Sequence, residues 1–389
     1  MEIFVIAGEP SGDKLGAALM EGLSDLVPDV SFTGIGGERM IARGLQSLFP
    51  MEEISVMGIT EILRQYSALK RRIRETADAI VAAKPDVLVT IDLPEFNLRV
   101  AELVKKNSDI RVVHYVAPTV WAWRPGRAAK MAPHVDQVLA LLPFEPPYMQ
   151  AAGMECDFVG HPVVTDPQAD AGDALAWRQS AGIGDAPMAL VLPGSRRSEV
   201  TRLAPVFGAV AERLTRDRPD LRLVIPAAAP VADLVKELCG KWPGDPLILD
   251  ARDSGVDAAA RKRAAFAAAD VALAASGTVS LELAAAGTPM VIAYDMGWLS
   301  RQIIGRMLRV DSVTLVNLVS ETRAVPEFIG KACRPGPIAA ALLQVLDHPQ
   351  QQAEAMQMTM DRLGFGGEHP GLRAARAVLR GLGRPEAGA

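Results

Sequence analysis

Short apolar runs alternate with segments of helical periodicity along most of the chain. The apolar runs predict buried strands in two series, which are Met1–Ala7, Val87–Asp92, Arg111–Val116 and Gln137–Leu142, and then Met188–Leu192, Leu221–Pro226, Leu247–Asp250, Val271–Ala275 and Met290–Tyr294. Strands that alternate with helices are typical of parallel sheets. We therefore predict an α/β chain with two Rossmann-like domains that face each other across a cleft.

The length and composition fit this picture. A chain of 389 residues is expected to form about two domains. The polar, Gly- and Ala-containing stretch from Thr165 to Asp185 is predicted to link them. The expected domains cover 1–165 and 175–345, and the segment 346–389 is expected to add helices that pack back across the domains.

Charge and cysteine content exclude several classes of protein. A net charge of -5 gives no reason to expect nucleic-acid binding. The three cysteines are widely spaced, match no metal-binding signature and fit a reducing cytosol. No apolar run approaches the length of about 20 residues that crosses a bilayer. We expect no metal, no redox cofactor and no hydrolytic triad.

The segment Ser276–Met290 carries the clearest candidate site. Ser276, Gly277 and Thr278 follow a predicted strand and open a helix, whose free N–H groups can receive phosphate oxygens. Glu282 lies one turn further on, where its carboxylate can accept both hydroxyls of a ribose. The pattern indicates a nucleoside-diphosphate ligand. The alternative is an ordinary βαβ unit with a solvated glutamate.

The two halves of the chain begin alike, each with a strand, a Gly/Ser turn and a helix. The turns lie in 8–13 and 194–199, and neither is a dinucleotide fingerprint or a P-loop. Arg196, next to Ser195 in the second turn, can neutralise a diphosphate bidentately. It can also be part of ordinary surface ion pairs. Asn317 could bond a base or a sugar.

Asp92 ends a predicted strand just before Pro94, a position from which its carboxylate can take a proton from an attacking hydroxyl. Asp also caps helices well, which is the alternative role. Further on, Trp121 and Trp123 could stack on a sugar or line an acyl channel, although paired tryptophans are more often core. His114 and His161 are expected to be structural.

The segment 57–76 has the pattern of a basic amphipathic helix. Its apolar positions recur at helical spacing and are Ile59, Ile62, Leu63, Tyr66, Leu69 and Ile73. Its basic flanks are Arg64, Lys70, Arg71, Arg72 and Arg74. Such a helix can lie in a membrane interface, or it can simply pack on a core.

Taken together, the motifs of this chain resemble those of the lipid-A-disaccharide synthase family, which are inverting UDP-sugar glycosyltransferases. The matching segments span nearly the whole chain in order and are Ala7–Asp13, Gly34–Gly37, Met57–Gly58, Asp92–Asn97, His114–Arg124, Leu142–Glu145, Val159–His161, Leu192–Arg196, Ser276–Glu282 and Val316–Leu318. The departures are conservative: the family usually has Ala at Pro10, Ala-Pro-Asp at Leu93-Pro94-Glu95, and Pro in place of Val316.

The resemblance implies a glycosyltransferase B fold and a defined reaction. The 6-hydroxyl of 2,3-diacylglucosamine 1-phosphate would displace UDP from UDP-2,3-diacylglucosamine and give a β-1,6 disaccharide in lipid A biosynthesis. Asp92 would be the base. The residues implied in UDP binding are Ser195, Arg196, Ser276, Gly277, Thr278, Glu282 and Asn317. Those implied in the acceptor-side loop are Gly8, Glu9, Ser11, Gly12, Asp13 and Asn97.

The resemblance also implies where the protein works. We expect a cytoplasmic homodimer at the inner face of the inner membrane, with the C-terminal helices crossing back or exchanged between subunits. The expected lipid contacts are Ile62, Leu63, Tyr66, Leu69, Arg71, Arg72 and Ile73. Two rival functions remain open: a soluble UDP-sugar epimerase or other UDP-N-acetylglucosamine transferase, and a catalytically silent UDP-sugar sensor at the membrane surface.

Overall fold

The computed structural model describes residues 1–55, 59–122, 126–253, 258–296 and 310–384, with the side chains of 59–66 outside the description. The chain forms two compact units. The first consists of Met1–Thr165 together with Gly366–Ala389, and the second of Asp166–Phe365. The predicted two-domain α/β fold is confirmed.

The first unit is built on a seven-stranded parallel sheet in the order β3-β2-β1-β4-β5-β6-β7. Its strands are β1 Glu2–Ala7, β2 Ser31–Ile35, β3 Gln46–Ser47, β4 Val87–Ile91, β5 Arg111–Tyr115, β6 Gln137–Ala140 and β7 Glu155–Phe158. The helices that cover it up to residue 165 are α1 Pro10–Leu26, α2 Glu38–Ile41, α3 Ile59–Ala83, α4 Pro94–Asn107, α5 Gly126–Met131 and α6 Pro146–Gln150. Because helices lie on both faces, the central strands β1 and β4 are mostly apolar rather than alternating.

The second unit is built on a six-stranded parallel sheet in the order β10-β9-β8-β11-β12-β13. Its strands are β8 Met188–Leu192, β9 Arg222–Ala227, β10 Leu247–Asp250, β11 Val271–Ala274, β12 Met290–Tyr294 and β13 Glu327–Ile329. Its helices are α7 Ala171–Ser180, α8 Arg197–Asp217, α9 Ala232–Cys239, α10 Ala258–Ala267, α11 Val279–Ala285, α12 Leu315–Ser320, α13 Pro335–Asp347 and α14 Ala353–Leu363. Its core lies between the sheet and these helices.

Strand register brings the candidate residues together within each unit. Ala7 of β1 pairs with Ile91 of β4, so the turns that follow these two strands are neighbours. Leu192 of β8 pairs with Ala274 of β11 in the same way. Ligands of open α/β sheets bind outside the carboxyl ends of the strands, which is where both pairs of turns lie.

The last described helix, α15 (Pro370–Gly381), returns to the first unit and packs on α1. The two helices approach closely at glycines, since a Cβ on Gly22 would lie 2.8 Å from the carbonyl oxygen of Gly371. Gln137 of β6 also donates to the carbonyl of Ala377 at 2.9 Å. The segment 346–389, predicted to add C-terminal helices, is divided between the units: α14 belongs to the second and α15 to the first.

Candidate functional site

A cavity of about 660 Å³ opens in the second unit at the carboxyl ends of β8 to β11. The candidate nucleotide-binding residues that line it are Ser195, Arg196, Ser276, Gly277, Thr278 and Glu282. They come from two turns, one after β8 and one after β11, which the register of these strands places side by side. The structure thus gathers all the predicted UDP-binding residues except Asn317.

The turn after β11 is shaped by Gly277. Its φ of 151° lies in the region that favours glycine. The helix α11 begins at Val279, with Thr278 at its N-cap, so Ser276 and Gly277 precede the helix rather than form its first turn. The buried Ser280 hydroxyl donates to the carbonyl of Gly277 at 2.9 Å and fixes the turn.

Glu282 has a partner that sequence analysis missed. Lys262 Nζ lies 2.5 Å from Glu282 Oε2, and both residues line the cavity. Lys262 comes from α10 and also lies 5.0 Å from the ring centroid of Phe266. The basic run Arg261–Arg263 was the only signal in the sequence, and it did not indicate that one of its cations reaches the cavity.

The turn after β8 is closed by Glu199. Its Oε2 accepts from the backbone N–H groups of Ser195 and Arg196 at 3.1 and 3.3 Å, and a Cβ on Gly194 would lie 2.6 Å from its side chain. The Arg196 guanidinium is 73% exposed, with Nη1 3.4 Å from Glu199 Oε1. Glu199 thus engages these two amides, while most of the Arg196 side chain remains exposed.

An ion cluster around the buried Asp250 lies at the end of β10, beside the cavity. The Asp250 carboxylate accepts from the Arg252 guanidinium and lies 2.7 Å from Lys236 Nζ, and both interactions lower the pKa of Asp250. Arg252 also pairs with Asp233. Arg261 donates to the Asp250 carbonyl at 2.7 Å. This network fixes the end of β10, where Leu249, Asp250 and Ala251 line the cavity.

Asn317 does not line this cavity, and its amide is used inside the unit. Nδ2 donates to the carbonyl of Val325 at 2.9 Å and to Glu327 Oε1 at 3.2 Å, and Oδ1 accepts from the Val325 N–H at 3.0 Å. Glu327 Oε1 also accepts from the Thr314 N–H at 2.8 Å. Asn317 therefore supports a loop near the cavity, since Ser276 Oγ reaches the Val313 carbonyl at 3.5 Å.

In the first unit, Asp92 directly follows β4 and adopts φ 48°, in the left-handed region. Burial raises the pKa of Asp92, while the Leu93 N–H and the charge of Arg127 oppose the shift. A partly buried carboxylate with a raised pKa, at the carboxyl end of a parallel sheet, suits proton abstraction from a hydroxyl.

The predicted acceptor-side loop divides into exposed and internal residues. Ser11 is exposed, and Glu9 is the N-cap of α1. Asp13 is buried, and its carboxylate accepts from the backbone N–H groups of Gly37, Arg39 and Met40 at 2.8 to 3.1 Å. Asp13, predicted in the acceptor-side loop, therefore uses its carboxylate to cap α2.

Glycines 8 and 12 and Asn97 pack close to the backbone around β4. A Cβ on Gly8 would overlap Leu93 Cδ2, and one on Gly12 would lie 3.4 Å from Ala7 Cβ. Asn97 is fully buried and bonds the backbone before it. Asn97, predicted on the acceptor side, therefore uses its side-chain amide inside the unit.

The aromatic segment after β5 is internal where it is described. Trp121 is buried, donates from Nε1 to Glu145 Oε1 at 3.3 Å and meets the Phe144 ring edge-on at 5.1 Å. Glu145 also accepts from the Leu142 N–H at 3.0 Å, and burial raises its pKa to about 7. Trp121 is thus a packing residue, while Trp123 lies outside the described residues.

Both candidate histidines have structural roles, as expected. His114 is buried, with Nδ1 2.8 Å from Thr90 Oγ1, and burial lowers its pKa to about 4. His161 Nδ1 accepts from the Val163 N–H at 3.2 Å. In the described part of the chain, no group of three or more His, Cys, Asp or Glu side chains could hold a metal ion.

The basic amphipathic helix predicted at 57–76 corresponds to α3, but its described half packs inward. Ile73 is a buried core residue, and Leu69 packs against the same core. Arg72 binds Glu53 and Glu75 and lies 4.3 Å from the Phe49 ring centroid.

The expected lipid contacts of Ile73 and Arg72 are therefore corrected, because those side chains are already used within the unit. Arg71 is 66% exposed. The side chains of Ile62, Leu63 and Tyr66 lie outside the description. Across the described residues, no helix combines the length and apolarity needed to span a bilayer.

Comparisons with known proteins agree with each other. The family model "Lipid-A-disaccharide synthetase" matches residues 3–371. A lipid-A-disaccharide synthase from Ruegeria pomeroyi is 63% identical over 97% of this chain and 95% of its own length. One from Rhodospirillum centenum is 47% identical over 97% of this chain and 94% of its own length.

Solved structures resemble the fold at much lower identity. S. aureus MnaA, solved together with UDP, matches with a TM-score of 0.64 at 13% identity, over 100% of both chains. At this identity the likeness shows the fold alone, which is the glycosyltransferase B architecture.

Proposed function

This chain belongs to the lipid-A-disaccharide synthase family, and on that premise we propose that it transfers 2,3-diacylglucosamine from its UDP derivative to 2,3-diacylglucosamine 1-phosphate. It is a glycosyltransferase of lipid A biosynthesis. The product would be a β-1,6-linked disaccharide 1-phosphate, with UDP as the leaving group. The observation that carries the proposal is the cavity of about 660 Å³ lined by Arg196, Ser276–Thr278 and Glu282.

The cavity suits the UDP part of the donor. Glu282 would accept the two ribose hydroxyls, and its ion pair with Lys262 would hold that carboxylate. The Arg196 guanidinium would neutralise the diphosphate, whose negative charge grows as the glycosidic bond to UDP breaks. The turn 276–278 supplies backbone and hydroxyl donors for phosphate oxygens. These groups would stabilise the leaving group without a metal ion.

Asp92 is proposed as the base of an inverting displacement. Its carboxylate would accept the proton of the acceptor 6-hydroxyl while that oxygen bonds the anomeric carbon and UDP departs. The raised pKa of Asp92 favours this role, because a base is most effective when its pKa approaches the working pH. Gly8 and Ser11, in the neighbouring turn, would lie on the acceptor side.

Both substrates carry acyl chains, so we also propose peripheral association with the cytoplasmic face of the inner membrane. The α3 region would provide the contact, with the exposed Arg71 among its basic groups. Electrostatic attraction to anionic lipid adds about 1 kcal/mol for each basic residue near the surface. A homodimer remains a prediction.

The decisive experiment incubates the purified protein with both acylated substrates and detects disaccharide and UDP by mass. Formation of both supports the proposal. Epimerisation of non-acylated UDP-N-acetylglucosamine without disaccharide would favour the rival enzyme. UDP binding without turnover of either substrate would favour a sensor.

A further inference from the structure

The turn that carries Asp92 contains two successive non-glycine residues in the left-handed region. The φ angles are 48° at Asp92 and 45° at Leu93. L-residues adopt this region as single residues at a cost, and a β-strand that continues directly into two of them is unfavourable by itself. The surrounding structure must therefore hold the turn.

Asn97 supplies that restraint from inside the unit. Its Nδ2 donates to the carbonyl oxygens of Ile91 and Asp92, at 3.1 and 2.7 Å. One amide group thus holds the last residue of β4 and the first left-handed residue together. The Asn97 N–H in turn donates to the Leu93 carbonyl at 3.0 Å, which closes the first turn of α4.

These two hydrogen bonds are shielded from water because Asn97 is buried. Asn97 has 0% exposure, and its Oδ1 has no hydrogen-bond partner among the described residues. A buried amide normally satisfies both of its atoms, whereas only the Nδ2 of this side chain is hydrogen-bonded. The hydrogen-bonded atom, Nδ2, donates to the carbonyl of Asp92.

A second contact comes from the neighbouring turn. Leu93 Cδ2 occupies the space that a Cβ on Gly8 would need. A larger residue at position 8 would require the Leu93 side chain to move. This contact adjoins the turn, whereas the restraint on the Asp92 backbone itself comes from the Asn97 amide.

We propose that Asn97 is a positioning residue for Asp92, which holds the strained Asp92–Leu93 turn so that the carboxylate projects from the end of β4 in one orientation. This inference rests on the proposed role of Asp92 as the base. It removes Asn97 from the set of acceptor-binding residues. Its effect on the reaction passes through the backbone of Asp92 and through no contact with substrate.

The test compares Asn97→Ser with a matched control on the same helix. Serine is too short to reach both carbonyls. Asn107→Ser, at the exposed end of α4, removes a side-chain amide that bonds only the Leu103 carbonyl. For Asn97→Ser we expect kcat to fall at least tenfold, with both KM values and the UDP dissociation constant within threefold of the wild type. Asn107→Ser is expected to retain kcat.

A second-site variant separates positioning from a general loss of structure. Glycine adopts the left-handed region without strain, so Leu93→Gly in the Asn97→Ser background removes part of the need for the restraint. We expect kcat of the double variant to be at least threefold higher than that of Asn97→Ser. A raised acceptor KM with unchanged kcat, an unchanged enzyme, or a fall in kcat that glycine at 93 does not recover would each overturn the inference.

One measurement is independent of catalysis. Hydrogen–deuterium exchange of a peptide covering 90–98 should be faster in Asn97→Ser than in the wild type, and unchanged in Asn107→Ser. Unchanged exchange in Asn97→Ser overturns the restraint itself. Full turnover by Asp92→Asn would instead refute the proposed base, and the exchange result would still decide whether Asn97 restrains the turn.

Discussion

Lys262 Nζ lies 2.5 Å from Glu282 Oε2, so the carboxylate expected to bind ribose is held by a cation from the neighbouring helix. Both side chains are nearly half exposed, at 45% and 41%. A pair this open contributes about 1 kcal/mol or less to stability. Its importance would lie in fixing the Glu282 carboxylate within the nucleotide cavity, where bound ligand excludes water from both groups.

Replacement of Glu282 by alanine is expected to weaken UDP binding by about 1–3 kcal/mol, because a charged hydrogen-bond partner of the ribose is lost. Calorimetric titration of UDP measures the effect. Glu354→Ala, at an exposed position of α14, is the control and should leave the dissociation constant unchanged. An unaltered dissociation constant in the folded Glu282→Ala protein would mean that this carboxylate does not bind UDP.

Lys262→Met tests whether the lysine acts through Glu282. We expect it to weaken UDP binding in the wild-type background and to have a smaller effect in the Glu282→Ala background, since the two residues are in contact. Lys241→Met, at an exposed position of the same unit, is the matched control. Equal effects of Lys262→Met in the two backgrounds would show that the lysine acts independently of Glu282.

Asp92→Asn is expected to lower turnover by about 10²–10⁴-fold, as is typical when a general base is lost, with UDP affinity within a few-fold of the wild type. Burial raises the pKa of Asp92, so wild-type kcat should fall with decreasing pH earlier than an ordinary aspartate would dictate. Steady-state kinetics across pH tests both. The neighbouring exposed Glu95→Gln is the control. Full activity of Asp92→Asn across the working pH range would refute the assignment.

Glu145 is expected to make the first unit less stable as the pH rises. Its pKa is raised from 4.5 to about 7 by burial, so the folded state holds the proton more tightly than the unfolded chain. The unfolding free energy should therefore fall by on the order of 3 kcal/mol between pH 4 and 8 through this group. The lowered pKa of His114 acts in the opposite direction, between about 4 and 6.5.

The difference between wild type and Glu145→Gln isolates the contribution of this carboxyl. Denaturant unfolding at several pH values should give a smaller loss of stability with rising pH for the variant. Glu354→Gln should follow the wild type. Parallel curves for wild type and Glu145→Gln would show that folding does not shift the pKa of this carboxyl.

The lipid prediction is best tested at Arg71 and Arg74, which are exposed on α3, rather than at Arg72, which already binds Glu53 and Glu75. Reversal of both arginines to Glu should release the protein from anionic vesicles in sedimentation, because each basic residue near the surface adds about 1 kcal/mol. High salt should release the wild type in part.

A control for this experiment changes the net charge equally but elsewhere. Arg216→Glu with Lys241→Glu alters two exposed positions of the second unit and should leave vesicle binding intact. Equal release by the control pair, or a wild type that never binds vesicles, would contradict docking through α3.

The strands that sequence analysis identified are those with continuous apolar runs. β8, β10 and β12 have the predicted bounds, and both sheets are wider than the apolar runs indicated. β2 was missed because Thr33 and Gly34 interrupt its pattern. Gly34, with φ 153°, is required since a Cβ there would overlap the backbone of Val5. β7 was missed because Glu155 and Asp157 make this edge strand polar.

The sequence predicted the part of the candidate site that comes from turns directly after strands. The turns after β8 and β11 come together because their strands pair, and the sequence shows both turns directly. Asp13 and Asn97 are polar residues beside such turns as well, but their burial directs them to backbone groups instead. Lys262 comes from a helix, and only tertiary packing brings it to Glu282.

The return of α15 to α1 has a consequence for synthesis of the chain. A ribosome produces α1 early and α15 only after the whole of Asp166–Phe365 has emerged. The second unit is one continuous segment, so all of its residues have been synthesised before α15. Gly22 and the apolar face around it on α1 lack their partner until Gly371 has been synthesised. The nascent first unit must therefore keep an uncovered apolar surface throughout translation of the second, which is the interval in which a chaperone has most to protect.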